Sequence, residues 1–167
     1  MKRKFVSIEK AKRIYFKIFL ACLMLLLTIL FLAGIELEKQ RFYSKANFHF
    51  SEVERAFAEI EKNQTAEDSL DLEQKKKLLK QARNLESKLF NLKALYFHQE
   101  GDFSLKYFNL EDREYLKKLE KTRRVFLSGQ GYIRTLEMLI FQKEASENQR
   151  KIHEKSRNLL QTALRNF

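Results

Sequence analysis

Hydrophobic and polar positions alternate along this chain in two distinct ways. The first is a continuous apolar run, IFLACLMLLLTILFLAGI from Ile18 to Ile35, with no charge in eighteen residues. Extended back to Ile14 it covers 22 residues with one interruption, Lys17. A helix needs about 20 residues to cross a hydrocarbon core of roughly 30 Å, so residues 14–35 are predicted to form a transmembrane helix. Lys17 can snorkel to the near interface, beside Tyr15 at belt level.

The second pattern is a repeating 3,4 spacing. Tyr43, Ala46, Phe50, Val53, Phe57 and Ile60 share one helical stripe. Ser51 and Glu54 have the spacing of a capping box, which would restart the helix there. KNQTAEDS, Lys62 to Ser69, has no large apolar residue and reads as a turn. Leu78, Ala82, Leu85, Leu89, Leu92 and Tyr96 then form the most regular stripe, widened by Leu79 and Phe90. It is expected to stop near Gly101, in the left-handed conformation common just past a helix end. Asn109 is the expected cap of a third helix, with Glu111, Asp112 and Glu114 near its positive end. SGQG, Ser128 to Gly131, is expected to break that helix, leaving a last one from Tyr132 with a polar middle, QKEASENQRK. The predicted helices of the second part therefore run over about 39–62, 69–100, 110–127 and 132–166.

Composition supports the same fold class. There is no proline, only four glycines, and an abundance of Leu, Lys, Glu and Gln, which favour helix. The chain is read as all-α: one N-terminal transmembrane helix, then an antiparallel helical bundle of residues 36–167 with coiled-coil-like helices. Cys22 is the single cysteine, so no disulfide within the chain is expected.

Charge orients the apolar run. Residues 1–17 carry Lys2, Arg3, Lys4, Lys10, Lys12, Arg13 and Lys17 against Glu9 alone, whereas Glu36 and Glu38 follow the run. By the positive-inside rule the N-terminus is cytoplasmic and residues 36–167 lie outside. The competing reading is a signal peptide, but its apolar region is normally about 7–15 residues and ends in small residues. Here the run is longer and Phe31 or Leu32 occupies the position where a small residue is wanted. Ile35 stands where a lipid-modified cysteine would have to be, which excludes lipoprotein processing.

Motif chemistry is sparse. The positions three before His49, His98 and His153 are Ala46, Leu95 and Arg150, so the paired Glu-x-x-His of a di-iron bundle is missing. His49 and Glu52 share a face at i, i+3 but are too few for a metal site. No nucleophile elbow, phosphate loop, zinc-protease helix or EF-hand pattern occurs, so no catalytic residue, metal or cofactor is assigned and no small-molecule substrate is identified. ALYFHQEGDFSLKYF, Ala94 to Phe108, resembles the turn of a tetratricopeptide unit over fifteen residues. Lys106 replaces its small residue and no second copy follows at the period of about 34, so a single helical hairpin explains the same letters.

Net charge is −5 over residues 36–74, +8 over 75–134 and +2 over 135–167. The acidic first helix and basic second hairpin are complementary and can pair within the bundle or between protomers. Otherwise Lys75, Lys76, Lys77, Lys80, Arg83, Lys121, Arg123 and Arg124 are the candidate contacts for an anionic partner such as lipid headgroups or an acidic envelope protein. Nucleic acid suits the charge, but the inferred orientation puts this domain on the other side of the membrane.

The expectation is a single-pass protein of the cytoplasmic membrane, a scaffold or assembly component of the cell envelope working through other envelope proteins or self-association. Its plan of basic tail, one span and helical outer part is similar in layout to division proteins, phage spanins and secretion or flagellar accessory proteins. The alternatives are an exported helical protein with a cleaved signal, and a helical-bundle sensor subunit.

Overall fold

The computed structural model describes residues 2–63, 71–102, 108, 109, 111–141 and 146–165, with side chains from residue 10 onward. All regular elements among them are helices: α1 (Lys2–Asn63), α2 (Leu72–Gly101), α3 (Arg113–Phe141) and α4 (Glu147–Arg165). The chain divides into two units, Met1–Lys39 and Gln40–Phe167.

The first unit is the N-terminal part of α1. Every large apolar side chain from Ile14 to Leu32 is between 39% and 72% exposed, which no water-facing helix sustains without cost. It is the one stretch among the described residues long and apolar enough to cross a membrane. The polar atom within it is satisfied locally, since the Thr28 hydroxyl donates to the Met24 carbonyl at 2.6 Å.

The second unit is a helical bundle. The apolar stripe of α1, including Phe50, Val53, Phe57 and Ile60, is buried, as are Leu78, Leu85, Leu89 and Leu92 of α2. Tyr96 lies at the edge of the same core. α3 joins these helices together: Tyr115 packs edge-on against Phe42 at 5.5 Å, Tyr132 against Phe57 at 5.1 Å, and Phe126 against Tyr96 at 5.7 Å. α4 returns along α3, with His153 stacked on Tyr132 and Leu160 fully buried.

Helix boundaries follow side-chain capping more closely than glycine content. α1 runs without a restart through Ser51, whose hydroxyl bonds back to the Phe48 carbonyl, so Ser51 and Glu54 make no capping box. The turn expected at Lys62–Ser69 lies mostly outside the described residues. α2 begins later than 69, where Asp71 and Gln74 exchange backbone and side-chain hydrogen bonds in a capping box. It does stop at Gly101, but through Asp102 in an extended conformation (φ −83°, ψ 103°), not through a left-handed glycine. The cap of α3 is Asp112, which accepts from the Glu114 and Tyr115 amides, while Asn109 is buried.

The largest departure is at Ser128–Gly131, which is helical, so that α3 continues from the segment read as 110–127 to Phe141. Gly129 is there for close approach: a Cβ on it would sit 2.5 Å from both methyls of Leu89. The break falls later, within the polar QKEASENQRK, where Ser146 and Gln149 form a second capping box that opens α4.

Two substitutions separate these roles. Gly129→Ala gains about 1 kcal/mol of helix propensity but overpacks Leu89 at a cost of about 1–3 kcal/mol, for a net loss. Gly131→Ala meets nothing within 4 Å and should gain about 0.5–1 kcal/mol. Thermal melts of the full chain in neutral detergent, followed by circular dichroism, should show midpoints moving in opposite directions. In the same assay Leu85→Asp should cost about 3 kcal/mol or more, because it buries an unpaired charge where the side chain is now wholly enclosed.

Candidate functional site: basic surface and interhelical polar contacts

The eight cations singled out from sequence are dispersed by the fold. Lys76, Lys80 and Arg83 are exposed on α2, and Lys75 is half-buried beside them. Lys77 instead donates to the Asn63 side chain at 2.6 Å, joining the start of α2 to the end of α1. Arg123 and Arg124 are exposed, and both reach Glu120, at 3.6 and 2.8 Å. Lys121, grouped with them in sequence, is only 8% exposed and donates to the Leu164 carbonyl near the end of α4. The reason is helical phase: successive residues turn by about 100°, so KTRR splits into Lys121 and Thr122 inside and two arginines outside.

Three acidic residues of α1, Glu52, Glu59 and Glu61, find partners in the other helices of the same chain. Glu52 accepts from Lys88 of α2 at 2.6 Å and from Arg55 one turn along α1 at 3.2 Å. The Lys88 hydrogen bond holds the Glu52 carboxyl below the usual carboxylate range. Glu59 accepts from Gln81 at 3.0 Å, and Glu61 takes the Arg157 guanidinium of α4. Charge complementarity between the segments is thus used inside the bundle.

The densest polar cluster lies where α1, α3 and α4 meet. Tyr132 donates its hydroxyl to Glu61 at 3.1 Å, and its ring stacks on His153 with centroids 5.1 Å apart. Thr135 Oγ1 lies 3.0 Å from His153 Nδ1 and 2.7 Å from the Ser156 hydroxyl. Burial, reinforced by the Glu61 carboxylate, pushes the Tyr132 phenol well above its ordinary value. Burial and the nearby Arg157 push the His153 imidazole down to about 4. At the other end of α3, burial together with Asp102 and Glu100 pushes the Tyr115 phenol up to about 12. Its hydroxyl bonds to Gln99 at 3.2 Å. In the Tyr132 cluster the hydroxyls, imidazole and carboxylate pair with one another across helices, as a clamp does.

Outside this clamp, the one apolar stripe that faces solvent on α2 comprises Phe90, Ala94 and Phe97, at 4,3 spacing, with Phe90 66% and Phe97 56% exposed.

The clamp makes the fold acid-sensitive. His153 is neutral in the bundle and binds its proton more readily when unfolded, so stability is lost as pH falls from about 6.5 toward 4. After allowance for solvent screening this amounts to about 2 kcal/mol. Glu52, with its lowered value, adds to the loss at still lower pH. Thermal midpoints measured between pH 7.5 and 4 should fall, and His153→Phe, which keeps a ring on Tyr132, should flatten the upper part of that slope.

No family model, no curated protein and no solved structure matches this chain, so its function is read from its own residues.

Proposed function

We propose that this is a single-pass protein of the cytoplasmic membrane, with its N-terminus inside and its helical bundle outside. The bundle serves as a scaffold or assembly component of the cell envelope and works through protein contacts. The observation that carries the anchor is the exposure of the whole apolar face of α1 from Ile14 to Leu32, which a hydrocarbon environment would cover. The orientation rests on seven cations before the run against one acid, with Glu36 and Glu38 after it.

Two features support contacts as the work of the bundle. The titratable groups where α1, α3 and α4 meet, Glu61, Tyr132 and Arg157, are spent on one another, which suits a rigid frame more than a reacting centre. The exposed Phe90–Ala94–Phe97 stripe and the cations Lys76, Lys80 and Arg83 on α2 offer apolar and basic surface to envelope proteins or to another copy. The reading requires no chemical step.

Fractionation of the full chain expressed in a bacterial host tests this directly. Resistance to carbonate extraction, full intact mass, and digestion of the bundle only when protease is added from outside spheroplasts are the expected results. Loss of about 34 residues with release into the soluble fraction would instead establish an exported protein with a cleaved signal. Protection of the bundle in intact spheroplasts would reverse the orientation.

A further inference from the structure

α1 and α3 enclose a cleft of about 330 Å³ lined by Tyr43, Asn47, Glu114, Lys117, Lys118 and Lys121. Three of these residues are lysines from one short stretch of α3. Lys118 donates to the Asn47 side-chain oxygen at 2.7 Å, which leaves the Asn47 amide nitrogen as a donor. Lys121 donates to the Leu164 carbonyl at 3.0 Å. Both ammonium groups lie against the Phe50 ring, 5.8 and 5.0 Å from its centroid. Each ammonium has three donors, so both retain hydrogen-bonding capacity.

Positive charge is in excess in this cleft, where three lysines stand against the single carboxylate of Glu114. Among the described residues none of the three lysines forms an ion pair, although Glu114 precedes Lys117 and Lys118 by three and four residues on the same helix. Lys121 is 8% exposed as a whole residue, and its ammonium lies between the Leu164 carbonyl, the Phe50 ring face and the cleft. Burial and the like charge of Lys118 both lower the Lys121 value, with Glu54 opposing them. The group that best completes such an arrangement is a compact anion with several acceptor oxygens.

We infer that the cleft between α1 and α3 is a binding site for a phosphate group, carried either by an anionic lipid headgroup or by a small soluble phosphate. Lys117, Lys118 and Lys121 supply the countercharge and the Asn47 amide a neutral donor. The site lies wholly within the bundle and does not depend on the scaffold reading. Tyr43 follows the apolar run by eight residues in sequence, which makes a lipid headgroup one of the two sources.

The test titrates the full chain, purified in neutral detergent at low ionic strength, with inorganic phosphate and separately with dihexanoyl phosphatidic acid. Dihexanoyl phosphatidylcholine is the control, and phosphorus NMR with calorimetry the readout. Binding of inorganic phosphate alone assigns a soluble ligand; binding of phosphatidic acid alone assigns a headgroup; binding of both assigns the phosphate itself. Lys117→Gln and Lys118→Gln should each weaken binding by about tenfold, whereas Lys76→Gln on the exposed face of α2 should leave it unchanged. Lys121→Met should lower affinity without lowering the thermal midpoint, since it removes a buried charge and keeps the contact with Phe50. A role confined to holding Leu164 would do the reverse. If neither probe binds, or if binding survives both glutamine substitutions, the site does not exist.

Discussion

The bundle depends on α3 being enclosed by the three other helices. One face of it takes the aromatic edge of α1 through Tyr115 and Tyr132, another takes Leu89 of α2 at Gly129, and a third takes His153 and Ser156 of α4. A helix surrounded in this way must be apolar over much of its circumference, yet α3 carries lysine and arginine from Arg113 to Arg134. The conflict is settled position by position. Residues at 115, 119, 122, 125, 126, 129, 132, 133, 136 and 140 are buried, and most of the cations occupy what remains. Tyr132 shows why polar tips are retained: its ring fills the core while its hydroxyl reaches Glu61, so one side chain both packs α1 and orients it.

The stripes were legible in sequence because they are local. Phe50, Val53, Phe57 and Ile60, and Leu78 through Leu92, announce a buried helix face whatever they pack against, and they are buried here. The helix ends were less legible because two signals competed. Glycine in SGQG suggested a break, but Gly129 answers a contact with Leu89 forty residues away, which no local pattern discloses. The true starts of α2 and α4 carry Asp71-x-x-Gln74 and Ser146-x-x-Gln149, both sequence-readable capping boxes that the apolar pattern alone passes over.

Electrostatics divides in the same manner. Net charge by segment indicated that α1 would attract the helices after it, and Glu52–Lys88 and Glu61–Arg157 are such contacts. Which cations remain on the surface depends on helical phase and on partners distant in the chain. Reading Lys75 to Arg83 and Lys121 to Arg124 as two clusters treated adjacent letters as neighbours in space. The arrangement of Lys117, Lys118 and Lys121 about Asn47 needs α1 and α3 to be aligned, and only the fold supplies that register.

Lys121 also bears on what the bundle is built to do. The last carbonyls of α4 attract a cation, and a lysine there is worth about 0.3–1 kcal/mol at an exposed helix end. Burial disfavours the charged Lys121 head, as its lowered value reflects, and that contact offsets part of the effect. An apolar side chain of equal length would fill the space over Phe50 without the penalty. Lys118 stands against the same ring and joins α3 to α1 through Asn47. The two together raise the local positive potential, which Glu114 offsets in part. Positive charge left in excess in a cleft attracts an anion with several acceptor oxygens.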